Sequence, residues 1–191
     1  MDYSKHCIEI FENSLSPDLC GEIIRRFEED GRKIDGGVGY GDGTIAADHT
    51  LKKCTELYLS SFPEWKDIDE ILYKEVTSKM LQLREKVPGL ARVNTVNDEG
   101  YRIKKYNNDG TEFFNWHIDQ NGRAQGHRYL IFQWYLNDVK KGGETEFRLQ
   151  KIKVNPVAGR LICFPPYWTH EHRGLAPVSG PKYILCSWIT F

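Results

Sequence analysis

The chain of 191 residues predicts a mainly-β or α+β fold, a double-stranded β-helix (jelly roll) with N-terminal helices that buttress one sheet. The second half holds many short runs of aromatic and β-branched residues that are separated by turn signals. The first half holds two amphipathic helical patterns, which need an apolar sheet face to cover. The strand-like runs of the chain are residues 7–12, 91–96, 101–106, 128–137, 145–148, 151–154, 160–164 and 182–190.

Two helices are predicted from apolar spacing and from end signals. Ser16 is a plausible N-cap, Pro17 stands at the first helical position, and a helix is expected over residues 17–29. A second apolar stripe runs over residues 66–86 and ends at Pro88. We expect residues 1–191 to form one domain, with residues 1–100 as helical support and residues 101–191 as the jelly-roll core.

The stretch between the two helices is rich in glycine. Residues 31–50 lack the strand before and the apolar helix after that a dinucleotide-binding glycine loop requires. A loop is therefore predicted, and a lid over a site is the sharper alternative. Residues 49–61 fit a strand and a short helix equally well, and both alternatives stay open.

Composition excludes several function classes. There are 26 Lys and Arg residues against 27 Asp and Glu, so the formal net charge of −1 indicates neither nucleic acid nor an anionic membrane as a partner. Five scattered cysteines without a C-x-x-C spacing argue against a disulfide framework and against zinc held by thiolates. The start has no signal-like apolar segment, and no run is long enough to span a membrane. A soluble protein of a reducing compartment, the cytoplasm, is expected.

A histidine and an aspartate two residues apart are the first candidate site residues. His117 and Asp119 point to the same side if the segment is extended, and Trp116 before them and Asn121 after them indicate a strand that ends at a rim. A second histidine follows the apolar run at 160–164. Either His170 or His172 would complete a facial triad of two imidazoles and one carboxylate, which holds iron(II) and leaves three coordination positions open.

The last strand-like run begins with a lysine. Lys182, Ile184, Cys186 and Trp188 share one face of residues 182–190. A lysine that heads an apolar face is costly to bury without a partner, although its side chain could also reach water from the strand end. Ten residues after His172, Lys182 is the cation that an anionic co-substrate at the open metal positions would need.

The order of these motifs resembles that of the iron(II)/2-oxoglutarate dioxygenases, and most of all the prolyl 4-hydroxylase catalytic domains. The resemblance is clear over residues 101–191. Besides H-x-D it rests on the segments Tyr135-Leu136-Asn137, Gly142-Gly143-Glu144-Thr145-Glu146-Phe147, Pro156-Val157-Ala158-Gly159, Phe164-Pro165, His172 and Gly180-Pro181-Lys182-Tyr183.

The resemblance implies the metal ligands. His117, Asp119 and His172 would be the catalytic iron ligands. His172 is preferred to His170 because the distal histidine of the family usually precedes the co-substrate cation by about ten residues. Lys182 would bind the distal carboxylate of 2-oxoglutarate.

Further cofactor-binding residues are implied with less weight. Tyr106 matches a position whose hydroxyl often helps to hold the co-substrate, and Trp188 matches a frequent aromatic neighbour of the site. Arg128 and Thr145 are weaker candidates. Phe132 and Trp134, together with Trp188, are expected to keep the pocket dry.

The resemblance implies an enzyme with iron(II), 2-oxoglutarate and oxygen as cofactors, and it allows for ascorbate. It would hydroxylate an organic substrate, either a prolyl or other residue of a peptide or a small molecule, while 2-oxoglutarate becomes succinate and carbon dioxide. One alternative is a hydrolytic zinc or manganese site, which has no use for Lys182. The other is a non-catalytic jelly-roll module that binds a small carboxylate or a protein partner.

Overall fold

The structure, a computed structural model, describes residues 6–40, 42–93 and 96–191. Among these residues, α1 is Pro17–Glu29 and α2 is Lys66–Lys86. Shorter 3-10 turns lie at Leu59–Ser61, Pro63–Trp65, Pro88–Arg92, Arg123–Gln125 and Trp168–His170. The strands in chain order are β1 (Glu9–Phe11), β2 (Ile34–Asp35), β3 (Gly37–Gly39), β4 (Ile45–Ala47), β5 (Lys52–Lys53), β6 (Thr55–Tyr58), β7 (Asn97–Asp98), β8 (Arg102–Tyr106), β9 (Phe113–His117), β10 (Arg128–Tyr135), β11 (Thr145–Phe147), β12 (Ile152–Val154), β13 (Leu161–Phe164), β14 (His172–Gly174) and β15 (Lys182–Thr190).

Most strands belong to two facing sheets. The larger sheet has the order β1-β13-β10-β15-β8-β6-β2, with β7 paired to β15, and the smaller has the order β12-β11-β14-β9-β5. All the strand pairings in both sheets are antiparallel. The architecture is the predicted jelly roll, mainly β, with its helices packed on the larger sheet.

The two faces of the larger sheet belong to two different cores. The outer face packs on the helices, where α1 contributes Ile23 and Phe27 and α2 contributes a stripe that includes Val76 and Met80. The inner face packs on the smaller sheet around residues such as Phe147. Because successive side chains of a strand point to opposite faces, every central strand of the larger sheet serves both cores.

Both helices lie where the sequence predicts them. The Ser16 hydroxyl accepts a hydrogen bond from the Leu19 N–H at 3.2 Å, so it caps one of the free N–H groups at the start of α1. Between α1 and α2, β6 pairs with β8, which resolves the ambiguity of residues 49–61 largely in favour of strands. The first hundred residues thus supply strands to both sheets as well as the helices, because β5 pairs with β9.

Two local predictions were wrong. The strand expected over 91–96 is a 3-10 turn up to Arg92, in which Leu90 and Val93 pack three residues apart on the helical core; residues 94 and 95 lie outside the described residues. The glycine-rich segment contains the β3–β4 hairpin rather than loop alone. The Tyr40 N–H donates to the Thr44 carbonyl, and the N–H of Gly43, whose φ is +96°, donates to the Tyr40 carbonyl, so both bonds close the turn.

In the described part of the chain, no helix has the length and apolar character needed to cross a bilayer.

Candidate functional site

The smaller sheet sets two histidines opposite each other. β9 ends at His117 and β14 begins at His172, and the two residues are cross-strand partners in the antiparallel pairing. Their ring centroids are 4.2 Å apart. The sequence did not predict β14, because the strand is only three residues long and contains no apolar side chain.

Asp119 joins the pair from just beyond the end of β9. The N–H groups of Asp119 and Gln120 both donate to the Pro166 carbonyl, at 3.1 and 3.0 Å, which fixes the chain after the strand. The Asp119 Oδ2 atom lies 3.4 Å from His172 Nε2 and 4.0 Å from His117 Nε2. One ligand atom from each of the three residues lies within 4.8 Å of the others, a spacing that suits a single metal ion.

Backbone carbonyls orient both imidazoles. His117 Nδ1 lies 2.7 Å from the Asn115 carbonyl oxygen, and His172 Nδ1 lies 3.0 Å from the His170 carbonyl oxygen. A carbonyl only accepts, so each Nδ1 carries the hydrogen and each neutral ring turns the lone pair of Nε2 toward Asp119. Two such nitrogens and one carboxylate are the donor set of the 2-His-1-carboxylate triad, and the residues present therefore fit iron(II).

The protonation states suit metal binding. Burial lowers the pKa of His117 well below its usual value and also lowers the pKa of His172, so both rings are neutral at pH 7. Burial acts to raise the pKa of Asp119, but the neighbouring His117, His172, Lys104 and Arg128 outweigh it and hold that pKa at about 2. The triad therefore presents two lone pairs and a carboxylate without prior deprotonation.

Aromatic rings hold the two histidines in place. Phe114 stacks on His117 with 3.4 Å between centroids, and Phe164 meets His172 edge-on at 4.8 Å. His170 lies apart from the triad, because its Nε2 faces the carbonyl oxygen of His6 at 2.9 Å. Of the two histidines that the sequence left open, the structure brings His172 to His117 and Asp119.

An inner cavity extends from the triad into the space between the sheets. Lys182, Tyr106 and Thr145 line it, as does Trp188, in agreement with the face predicted for β15. The Thr145 hydroxyl is already engaged, since it accepts hydrogen bonds from Gln133 at 3.0 Å and from Tyr135 at 2.6 Å. The other lining residues are Lys104, Phe114, Ile131, Gln133, Gly174, Ile184 and Cys186.

Lys182 is a buried cation at the wall of the inner cavity. Its side chain is 1% exposed, its ammonium donates to the Gly143 carbonyl at 3.1 Å, and it lies 4.5 Å from the centre of the Tyr106 ring. Among the described residues, none places a carboxylate oxygen within 4.0 Å of Lys182 Nζ. Burial lowers the pKa of Lys182 to about 8. An ammonium in this state is stabilised by a ligand carboxylate.

An outer cavity opens on the other side of the triad. The β3–β4 hairpin covers it through Val38 and Ile45, and Asn121 donates to the Gly39 carbonyl at 2.6 Å. The glycine-rich segment and the loop after Asp119 thus both border the cavity. Asp119 and Trp188 line both cavities, so the triad stands between them.

Three residues that the sequence analysis assigned to the co-substrate pocket, Arg128, Phe132 and Trp134, lie elsewhere in the structure. Arg128 lies in the outer cavity, not the inner one, and is paired to Glu99 by hydrogen bonds of 2.6 and 2.5 Å. Phe132 and Trp134 belong to the helix-side core, so they do not line the pocket. The reason is the alternation of β10, whose inner face carries Ile131, Gln133 and Tyr135 instead.

Sequence reasoning missed a buried charged cluster beside the triad. Lys52, Glu56 and Lys104 are 2%, 0% and 5% exposed. Lys52 contacts Glu56 directly and also donates to the Gly37 carbonyl at 2.7 Å, while Lys104 Nζ lies 4.0 Å from Glu56 Oε1. Burial opposes the charge on Lys104, but Cys186, Glu56 and Asp119 outweigh it and raise its pKa. The only sequence signal was the alternation of Arg102, Lys104 and Tyr106, which also fits a solvent-facing strand.

Comparison with protein families matches residues 101–190 to the 2OG-Fe(II) oxygenase superfamily. A comparison with curated protein sequences found no match. The matched range contains the triad, Lys182 and all strands from β8 to β15.

Solved structures share the fold of the whole chain. A prolyl hydroxylase from Trichoplax adhaerens, in complex with a peptide fragment of the hypoxia inducible factor oxygen degradation domain, is 16% identical with a TM-score of 0.77, over 98% of this chain and 85% of that one. A Pseudomonas putida prolyl-4-hydroxylase is 20% identical with a TM-score of 0.71, over 100% and 96%. The viral collagen prolyl hydroxylase of Paramecium Bursaria Chlorella virus-1, in its 2OG complex, is 20% identical with a TM-score of 0.70, over 96% and 95%.

Proposed function

Because residues 101–190 of this chain match the 2OG-Fe(II) oxygenase superfamily, we propose that the protein is an iron(II)- and 2-oxoglutarate-dependent hydroxylase. The observation that carries the proposal is an oriented triad that shares its cavity with a buried lysine, for which the described residues provide no carboxylate partner. A hydrolytic metal site would have no use for that lysine. In this proposal residues 1–191 act as one domain, since β5 and β6 complete the sheets that hold the site.

His117, Asp119 and His172 would hold the iron. Their two neutral nitrogens and one carboxylate would supply three ligands to the ion and would leave its other coordination positions open. The carbonyls of Asn115 and His170 keep the imidazoles turned toward the metal.

Lys182 would anchor 2-oxoglutarate by its distal carboxylate. The ammonium is already desolvated, so a carboxylate that enters the inner cavity gains a charge-assisted hydrogen bond without displacing a protein anion. Tyr106 flanks this position through its ring, and Thr145 lines the same cavity. Trp188 walls both cavities, and Arg128 holds the Asp119 carbonyl at 2.9 Å, which steadies the metal-ligand segment.

When iron(II), 2-oxoglutarate and oxygen are bound together, they supply oxidative decarboxylation to succinate and carbon dioxide, with transfer of one oxygen atom to a C–H bond. The chain orients these groups and excludes water. Its substrate would enter through the outer cavity, with a prolyl or other residue of a peptide as the first class to assay, because the solved structures of the same fold carry prolyl hydroxylase names.

Anaerobic titration of the protein with iron(II) and 2-oxoglutarate tests the proposal. We expect a weak visible charge-transfer band that needs both components, followed by succinate when air is admitted, with ascorbate present and absent in parallel samples. Asp119→Ala should lose the band, whereas Asp109→Ala, the same change in an exposed turn, should keep it. Folded wild-type protein without a band would favour the non-catalytic binding module.

A further inference from the structure

The outer cavity is unusually rich in positive charge. β8 alternates so that Arg102, Lys104 and Tyr106 point inward while Ile103 packs in the helix-side core. Lys52 and Arg128 add two more cations to the walls, and among the described lining residues the acid is Asp119. Asp119 would hold a divalent metal ion whose charge offsets its own, so this carboxylate would not neutralise the cations of the cavity wall.

Ion pairs within the protein neutralise only part of this positive charge. Arg128 is paired bidentately to Glu99. Glu56 is the one carboxylate that the described structure sets against both Lys52 and Lys104. It contacts Lys52 directly and is 4.0 Å from Lys104, which leaves the second lysine only partly compensated.

Arg102 has no acidic partner within 4.0 Å in the described part of the chain. Its guanidinium lies over the rings of Tyr58 and Trp188, 4.2 and 4.7 Å from their centroids. The stacking fixes the plane of the group and leaves its N–H donors free at the cavity wall. Three cations, Arg102, Lys52 and Lys104, therefore face one buried carboxylate.

A buried donor on the same wall is also unpaired. Trp188 is 4% exposed and lines both cavities, and its Nε1–H has no hydrogen-bond partner among the residues that the structure describes. An indole N–H only donates, so an acceptor atom of a ligand that enters the cavity would satisfy it. The Lys104 Nζ atom lies over the Trp188 ring, 5.3 Å from its centre, so both residues belong to the same part of the wall.

We propose that the outer cavity recognises a substrate carboxylate, which Arg102 and Lys104 would bind and to which Trp188 would donate. The inference deepens the proposed function and rests on it, since it assigns the inner cavity and Lys182 to 2-oxoglutarate. The substrate is then an acid, either an acidic residue of a peptide or a free carboxylic acid, and its carboxylate lies near the carbon that is hydroxylated. An uncharged prolyl segment would leave the excess cations and the indole donor unsatisfied.

Matched pairs of probes test this with the protein loaded with manganese(II) and saturating 2-oxoglutarate. One pair is the acetylated and amidated tripeptide Gly-Asp-Gly against Gly-Asn-Gly, and the other is glutarate against glutaramide, each titrated by calorimetry. We expect the acid of one pair to bind at least about tenfold more tightly than its amide, the effect of a charge-assisted hydrogen bond. The pair that shows this preference identifies a peptide or a small acid as the source of the carboxylate.

Variants distinguish carboxylate recognition by the cavity from a general effect of the positive charge of the protein. Arg102→Gln should abolish the preference and Arg102→Lys should restore most of it, whereas Lys66→Gln, which removes an exposed cation from α2, should leave it unchanged. Lys104→Gln provides the second variant, with the same expected loss, if the loss of ring stacking unfolds Arg102→Gln.

Equal or weaker binding of both acids than of their amides would overturn the proposal, and so would a preference that survives both Arg102→Gln and Lys104→Gln. Binding of 2-oxoglutarate to the metal-loaded protein is measured first in the same samples. If the proposed function is wrong, 2-oxoglutarate does not bind in that first step. If only carboxylate recognition is wrong, 2-oxoglutarate binds normally and the acid probes show no preference.

Discussion

His117 and His172 are direct cross-strand partners on β9 and β14 of the smaller sheet, whereas Lys182 begins β15 of the larger sheet. The proposed metal ligands and the proposed co-substrate anchor therefore come from opposite walls of the jelly roll. The triad depends on the register of one antiparallel pair, and the distance from metal to anchor depends on how the two sheets pack.

This register predicts which histidine matters for metal binding. His172→Ala should weaken manganese(II) affinity by more than about a hundredfold, because even loss of the partners of a ligand costs about 10–100-fold. His170→Ala is the matched control, since its ring faces the His6 carbonyl, and it should retain affinity. Electron paramagnetic resonance of free manganese measures both. Loss of affinity in the His170 variant alone would reverse the ligand assignment.

Lys182→Met should weaken 2-oxoglutarate binding to the metal-loaded protein by about tenfold to a hundredfold. The lost interaction is a charge-assisted hydrogen bond worth about 1.5–3 kcal/mol. Lys140→Met, a change at an exposed lysine, is the control and should bind normally. Calorimetric titration gives both constants, and equal constants would place the anchor elsewhere.

The same variant should make the ligand-free protein more stable. Burial holds the pKa of Lys182 at about 8 in the folded state, against 10.5 for a free lysine, so the unfolded chain binds the extra proton between these pH values. Stability of the wild type should therefore rise as pH increases from about 8 to 10.5, by up to about 3 kcal/mol. Urea denaturation of Lys182→Met should lack this rise. A rise of the same size in the variant would assign it to another group.

Much of the fold follows from the sequence because its strands alternate and its helices carry clear end signals. Ser16 and Pro17 mark the start of α1, and the predicted limits of β15 coincide with the observed Lys182–Thr190. The triad could be predicted for a similar reason, because His117 and Asp119 are close in sequence and the family resemblance indicated His172.

The wall of the outer cavity was not predictable in the same way. Ile103 marks the buried face of β8, so Arg102 and Lys104 fit a solvent-exposed face. Only the pairing of β5 with β9 shows that the smaller sheet covers that face and buries Lys52 there. Long-range pairing, rather than local pattern, decides whether such charges are exposed.

Metal binding should persist to lower pH than the usual pKa of histidine, 6.5, would allow. Burial lowers the pKa of both His117 and His172, so the neutral, metal-binding rings dominate further into the acid range. Manganese affinity measured from pH 7.5 to 5.5 should stay nearly flat at the upper end and begin to fall below 6.5. An affinity that halves near pH 6.5 would show that the rings are solvated and unshifted.

Glu56→Gln should destabilise the protein by about 3–5 kcal/mol, because it leaves Lys52 and Lys104 buried without their shared carboxylate. Glu70→Gln is the matched control: it removes one member of an exposed pair with Lys66 on α2 and should cost less than about 1 kcal/mol. Combining Lys52→Met with Glu56→Gln should recover part of the loss, since one of the two stranded charges is removed as well. Urea denaturation of the four proteins measures these differences, and a Glu56 variant as stable as the Glu70 variant would mean that the buried lysines do not depend on that carboxylate.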